Sequence, residues 1–189
     1  MARQVHGVWA PLIALAMLAP ASRATFVQFT VSGETTFSRV PSVSVGDPFE
    51  IKYVANAVDQ NPSTNVGSFS ATGLTIAFPN LTVSYPTFAA SVAVSLNNAD
   101  GTDYVRYWNF FPNTFSWVWV VFPAGTLNSD ALPLTLPISE ATSADFLDYG
   151  FGTQFQGDIH TYAGVEVPEP RVLHIGWPLL VALRRRHHG

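Results

Sequence analysis

The chain has 189 residues, 48% of them hydrophobic and 12% charged, a formal net charge of −4 and no cysteine. This composition excludes a disulfide-stapled miniprotein, a cysteine-ligated metal site, a thiol nucleophile and a disordered chain. Six of the nine basic residues lie near the two termini, so residues 25–170 hold three basic and all thirteen acidic residues, a formal charge of −10. A surface of that sign repels phosphates, which makes nucleic acid a poor partner.

The N-terminus has the pattern of a secretory signal peptide. Arg3 supplies a positive start, and residues 8–19 form an uncharged apolar run of twelve residues, too short to span about 30 Å of hydrocarbon as a helix. Small side chains at positions −3 and −1 predict cleavage between Ala24 and Thr25, with an earlier cut before Ser22 as the alternative. Export of a chain without cysteine indicates a bacterial protein.

The body of the chain is rich in Thr, Val, Ser, Phe and Tyr, divided by Gly, Pro and Asn, which predicts an all-β domain. Residues 49–55 alternate most clearly, with Phe49, Ile51, Tyr53 and Ala55 on one face. The predicted strands are 26–32, 49–55, 74–78, 91–96, 104–111, 115–122, 132–138 and 158–165.

One short helix is predicted over residues 140–147, with Ser139 as its N-cap. Closely spaced strands and almost no helix predict a single β-sandwich, jelly-roll-like, of about eight or nine strands. The expected flanking elements are an N-terminal signal helix and a short C-terminal hydrophobic helix.

Aromatic residues are concentrated in the predicted hairpin of strands 104–111 and 115–122. Trp117 and Trp119 share one strand face, while Val118 and Val120 share the other. A strand that is apolar on both faces is typical of a buried, central position, so the first interpretation places both tryptophans in the core. The alternative is an exposed sheet face on which Trp108, Trp117 and Trp119 stack against sugars, as in a carbohydrate-binding module.

The best metal candidate is the turn around Gly101, where Asn98, Asp100 and Asp103 offer oxygen donors. They resemble a fragment of a calcium loop, but the further donor and the terminal Glu of an EF-hand are missing. Because Asn, Asp and Gly are also the residues of ordinary hairpin turns, a turn is the favoured interpretation and calcium the weaker one.

The sequence contains no recognisable catalytic motif. It has neither a Gly-x-Ser-x-Gly elbow nor a His-Glu-x-x-His pair, and no paired carboxylates of the glycosidase type. His160 is the single histidine of the body, and a metal pair with Asp158 lacks a third ligand. We therefore expect a non-enzymatic protein without a cofactor, with an atypical hydrolase as the weakest alternative.

The C-terminal tail combines three features in a fixed order. Pro168, Glu169 and Pro170 come first, an apolar segment over residues 172–183 follows, and a cluster of three arginines closes it, namely Arg184, Arg185 and Arg186. The arginines would hold the segment in the membrane from the cytoplasmic side. This order resembles the sorting tail of the PEP-CTERM family of bacterial secreted proteins. The resemblance implies recognition of Pro168, Glu169 and Pro170 by exosortase, a membrane-embedded cysteine peptidase, with the arginines as the stop.

A second, less specific similarity to that family covers about 25 residues of the body. It comprises the run 45–49, Tyr53, a polar loop with Asp59 and Pro62, and the run 67–69. The predicted organisation is a signal peptide over 1–24, a β-domain over 25–166 and a sorting tail over 167–189. The resemblance implies transient anchoring in the inner membrane, then a place at the cell surface or in an exopolysaccharide matrix. Exosortase is the implied processing partner and extracellular polysaccharide a further one.

Overall fold

A computed structural model describes residues 26–61, 65–111, 114–150 and 153–168, with the side chains of 86–89, 110, 111 and 153 left aside. These residues form eight antiparallel strands and one short 3-10 helix, Ile138–Glu140. The strands are β1 (Phe26–Ser38), β2 (Pro48–Asn56), β3 (Val66–Phe78), β4 (Leu81–Ser95), β5 (Thr102–Phe111), β6 (Thr114–Pro123), β7 (Ser143–Gly150) and β8 (Thr153–Val167). Each strand pairs with the next, and β8 pairs with β1, so the sheet closes into a barrel.

The domain is all-β, but the predicted sandwich is wrong. The last strand pairs with the first from Phe26↔Val167 to Ser38↔Phe155, so the described strands form one closed sheet and not two packed sheets. Alternating apolar residues are expected on the inner faces of sandwiches and barrels alike. The sequence pattern therefore could not distinguish the two architectures. The pairing of β1 with β8 shows that the fold is a barrel.

The predicted N-terminal and C-terminal flanking helices and the transmembrane helix have no counterpart among the described residues. Within those ranges, no helix is long and apolar enough to cross a membrane. The two segments on which these predictions were based, residues 1–24 and 172–183, lie outside the described residues.

The barrel interior is a packed apolar core. Phe49, Ile51, Tyr53 and Ala55 are all buried, which confirms the predicted alternation of this strand. Tyr53 lies at the centre, with its ring centroid 5.2 Å from that of Phe29 and 4.4 Å from that of Tyr107. Eight strands give a barrel just wide enough for such side chains to fill it.

Two further local predictions are wrong. The predicted helix over 140–147 gives way to β7, in which Phe146 faces the interior and Leu147 faces outward. Its pairing with β6 and β8 overrides the helical propensity of the Glu and Ala residues. Residues 132–138 form one isolated bridge, Thr135↔Ala163, instead of a strand.

The antiparallel order gives the barrel two different ends. At the termini end, β1 begins, β8 finishes, and residues 124–142 lie between β6 and β7, with Leu136 buried. At the hairpin end lie the connections β1–β2, β3–β4, β5–β6 and β7–β8. Each end contains one fully buried carboxylate, Asp103 at the termini end and Asp148 at the hairpin end.

Candidate functional sites on the barrel

The tryptophans of the β5–β6 hairpin lie on the outside of the barrel. Along β6 the interior side chains include Val118 and Val120, whereas Trp117 and Trp119 point outward and are half-buried. The core interpretation of these two tryptophans is therefore wrong. A closed barrel has a single interior, so a strand that is apolar on both faces must leave one apolar face outside.

We call the outward side chains of this hairpin the aromatic face. It consists of Tyr104, Arg106, Trp108, Phe115, Trp117 and Trp119. The guanidinium carbon of Arg106 lies 4.6 Å from the ring centroid of Trp108 and 5.8 Å from that of Trp119, within the range of cation–π attraction. Register explains the contact, because Arg106 lies opposite Trp119 and Trp108 lies opposite Trp117.

The indoles of Trp117 and Trp119 meet nearly edge to face, with centroids 5.0 Å apart and planes at 65°. Their two N–H groups are buried and have no acceptor within the part of the chain that the structure describes. A buried donor without a partner costs about 1–3 kcal/mol. The aromatic face is thus tightly packed, but the described residues do not satisfy the hydrogen-bonding capacity of its two indole N–H groups.

A shallow groove of about 220 Å³ borders the aromatic face. It is lined by Thr36, Trp117, Asp145, Phe146, Leu147, Gln156 and Gly157. Trp117 offers an aromatic ring, and Asp145, Gln156 and Thr36 offer a carboxylate, an amide and a hydroxyl. This combination of an apolar ring with several short polar groups is suited to a polyhydroxylated ligand.

Acidic side chains continue from the groove around the outside of the barrel. Glu34 lies opposite Asp158, and Asp158 lies opposite Asp145, and all three are exposed. His160 lies exposed on β8, two residues beyond Asp158. Among the described residues, no three His, Cys, Asp or Glu side chains are grouped so that they could hold a metal ion.

The calcium candidate forms a self-contained turn. The Asp103 carboxylate accepts the backbone N–H of Asn97 at 2.7 Å and that of Leu127 at 3.0 Å. Asp100 accepts from the Thr102 hydroxyl at 2.6 Å, and the Asn98 amide donates to the Thr102 carbonyl at 2.8 Å. These bonds use the side-chain oxygens for the turn itself, and Asp103 fastens that turn to the connection between β6 and β7.

Sequence reasoning missed a group of polar side chains inside the barrel at its hairpin end. We call Asn109, Ser116 and Asp148 the polar row, because they lie directly opposite one another on β5, β6 and β7. Each is at most 1% exposed. The Ser116 hydroxyl donates to Asp148 Oδ1 at 2.5 Å, and the Tyr85 hydroxyl donates to Asp148 Oδ2 at 3.2 Å.

A signal for the polar row was present in the sequence. Asn109 and Ser116 alternate with outward residues in the same phase as Tyr107 and Val118, which face the interior. Polar residues in an inward phase of a strand are rare unless they are satisfied or functional. In this hairpin the aromatic residues form the more conspicuous pattern, and the polar alternation is hidden among them.

Three tyrosines connect the polar row to the centre of the barrel. The hydroxyls of Tyr53 and Tyr162 lie 2.8 Å apart. Burial raises the pKa of both residues well above the ordinary value, and the proximity of Tyr162 raises that of Tyr53 further. Burial, and then the negative charge of Asp148, also raise the pKa of Tyr107.

The residues of the second sequence similarity have structural roles. Gly46 has a φ of +89° in the β1–β2 connection, where Asp47 Oδ2 accepts the N–H of Ser44 at 2.7 Å. Asp59 Oδ1 accepts the N–H of Ser68 at 2.8 Å and so fastens the polar loop to β3. A Cβ at position 67 would lie 2.0 Å from the carbonyl oxygen of Asp130, which explains the glycine there.

The predicted export and sorting residues fall almost entirely outside the described residues. These are Ala24, Thr25, Glu169, Pro170, Arg184, Arg185 and Arg186. Pro168 is described, and it is exposed directly after the last residue of β8.

Comparison with known proteins gives no information about these sites. No protein-family model matches the chain, and no match was found among curated proteins or solved structures.

Proposed function

We propose that this chain is a non-enzymatic bacterial protein that is exported and sorted to the cell surface or the exopolysaccharide matrix through its PEP-CTERM-like tail. The order of the tail carries the proposal: a Pro-Glu-Pro motif, an apolar segment and three arginines, at the opposite terminus from a signal-peptide pattern. The barrel supports it in one respect. Its last strand ends at Val167, so the motif begins directly after β8.

The experiment is expression in a bacterium that has exosortase, with a C-terminal tag and cell fractionation. We expect cleavage close to Pro168–Pro170, export of the barrel and retention of the tagged tail. Replacing Glu169 with Ala should leave the tail inserted and uncut. Changing Arg184, Arg185 and Arg186 to Ser should release full-length protein, because each arginine resists entry into hydrocarbon by about 2.5–3.5 kcal/mol. Wild-type protein that leaves the cell with its tag attached would contradict the sorting proposal.

A second function, polysaccharide binding, is favoured by the groove beside the aromatic face. The groove presents the Trp117 indole together with the side chains of Asp145, Gln156 and Thr36. Sugars offer C–H faces to aromatic rings and hydroxyls to carboxylates and amides, which is the chemistry that these residues complement. This function is compatible with sorting, because the matrix to which the tail would deliver the domain is itself polysaccharide.

Glycan-array binding of the full chain tests the second function. Trp117→Ala and Gln156→Ala should abolish or strongly weaken binding. Gln28→Ala is the matched control, because Gln28 is also exposed on the outer surface but lies on β1 outside the groove. Loss on Trp108→Ala as well would extend the site across the aromatic face. Equal binding by the Trp117 and Gln28 variants would exclude the groove, and hydrolysis abolished by His160→Ala would instead favour the hydrolase alternative.

A further inference from the structure

The polar row interrupts the apolar inward layers of β5, β6 and β7. Across β5, β6 and β7 the adjacent inward layer consists of Tyr107, Val118 and Phe146, whereas the row consists of Asn109, Ser116 and Asp148. Thr114, two residues before Ser116, adds a further inward polar side chain that is 4% exposed. Four buried polar side chains thus occupy one wall of the barrel at its hairpin end.

Two of these side chains present oxygens without a partner. Asn109 Oδ1 and Thr114 Oγ1 are buried, and neither has a hydrogen-bond partner among the described residues. The large majority of buried side-chain polar atoms in proteins are hydrogen-bonded. Two such oxygens on the same side of the barrel as a buried carboxylate point to a hydrogen-bonding ligand at this end.

The oxygen atoms of these side chains favour a ligand that donates hydrogen bonds. Asn109 Oδ1 can only accept, and both oxygens of Asp148 already accept from hydroxyls, as expected of a carboxylate. A protonated amine has three donors and no acceptor, which matches a set of oxygen atoms with negative charge. The Tyr107 ring lies one layer deeper on the same strand, and aromatic rings attract organic cations.

A metal ion fits this wall less well. Calcium requires six to eight oxygen ligands, and the row supplies a single carboxylate. In the described parts of the chain no acidic or histidine partner completes a metal cluster with Asp148. The aromatic layer beneath the row likewise favours an organic cation over a strongly hydrated ion.

The row lies close to the hairpin end of the barrel. Thr114 and Gly150 form the last pair between β6 and β7 at the hairpin end, and Ser116 and Asp148 lie two residues deeper, a distance of about 7 Å along the strands. Gly150 packs closely against Thr114, since a Cβ on it would lie 2.4 Å from the Thr114 methyl carbon. We propose that the hairpin end of the barrel binds a small protonated amine on Asp148, Asn109 and Thr114.

The test is calorimetric titration of the full chain with butylamine, with butanol as the neutral analogue of similar shape. We expect saturable binding of one butylammonium, with butanol at least about tenfold weaker because it lacks the charge-assisted hydrogen bonds. Asp148→Asn, which preserves the shape of the side chain, should weaken butylamine binding by at least about tenfold. Asp103→Asn is the matched control, because Asp103 is equally buried but lies at the other end of the barrel.

Thr114→Val supplies a second variant that retains the side-chain shape and removes one unpartnered oxygen. It should fold and bind butylamine several-fold more weakly. The proposal would be overturned if the wild-type protein showed no saturable binding, or if it bound butanol as well as butylamine. Water would then be the hydrogen-bond partner of the two oxygens. Unchanged binding by Asp148→Asn and Thr114→Val would also overturn it and would place the amine on the outer acidic surface of Glu34, Asp145 and Asp158.

Discussion

Each end of the barrel contains a buried carboxylate, and the two carboxylates differ in their hydrogen-bond donors. At the termini end, Asp103 accepts two backbone N–H groups and joins two connections of the chain. At the hairpin end, Asp148 accepts from two side-chain hydroxyls and lies in a row with Asn109, whose side-chain oxygen has no partner among the described residues. Backbone donors are fixed in place, whereas hydroxyls rotate and can also accept. The termini end is thus built for stability, and the hairpin end retains the capacity to bind.

The largest expected effect concerns the tyrosines between the two ends. The raised pKa values of Tyr53, Tyr107 and Tyr162 mean that the folded protein keeps three phenols protonated at a pH where the unfolded chain, with a pKa of about 10, loses those protons. Their contribution to stability is complete below pH 10 and is lost as the pH rises further. The free energy of unfolding should fall by up to about 1.4 kcal/mol per pH unit for each tyrosine.

Denaturant unfolding at a series of alkaline pH values measures this slope. Tyr53→Phe should make the slope shallower by one proton. The control is the ultraviolet absorbance of tyrosinate during the same alkaline titration. If these tyrosines ionise while the circular dichroism remains native, the prediction is contradicted, because the interior then admits solvent or tolerates the charge.

The next effect separates the interior of the termini end from the outer surface of the same strand. Phe122 is fully buried, so Phe122→Ala should cost about 3–5 kcal/mol of unfolding free energy. Trp119→Ala, on the half-buried aromatic face, should cost only about 1–2 kcal/mol despite the larger ring. Thermal and denaturant unfolding of both variants provide the comparison, and equal costs would show that the aromatic face is as well packed as the core.

The two carboxylates themselves should differ when each is changed to its amide. Asp103→Asn loses one of two bonds to fixed backbone donors and should cost about 1.5–3 kcal/mol. Asp148→Asn should cost about 1 kcal/mol or less, because Ser116 or Tyr85 can reorient its hydroxyl to accept from the new amide. The reverse order in chemical denaturation would remove the distinction between a structural end and a binding end.

The smallest effect is a gain in stability at the hairpin end. Thr114→Val removes a buried oxygen that has no partner among the described residues and should stabilise the protein by about 1 kcal/mol. Thr72→Val, on the exposed outer face of β3, controls for the strand preference of valine. A loss of stability in Thr114→Val beyond that of the control would show that the oxygen is satisfied in solution by bound water.

Parts of the fold were predictable because they depend on neighbours along the chain. Strand 49–55, with its buried face, and the hairpin of β5 and β6 are found where they were predicted. β7 was mistaken for a helix because Glu140, Ala141 and Ala144 have local helical propensity, which pairing on both edges overrides. Local preferences are weak, and two rows of backbone hydrogen bonds outweigh them.

The candidate sites divide in the same way. The tryptophans of β5 and β6 were identified from sequence, but their side of the sheet was not, since a strand that is apolar on both faces does not show which face is inside. The polar row was missed because Asn109, Ser116 and Asp148 are far apart in sequence, and only their register brings them together.

From its sequence alone, the chain determines an all-β domain, the alternation of its clearest strands and an acidic body between basic termini, because these properties arise from composition and from residues adjacent along the chain. The tertiary structure alone decided that the sheet closes, that Trp117 and Trp119 lie outside, and that Asp103 and Asp148 occupy opposite ends. Each of these outcomes depends on the pairing of β8 with β1 or on strand register. Both are set by contacts between residues distant in sequence, which no local pattern encodes.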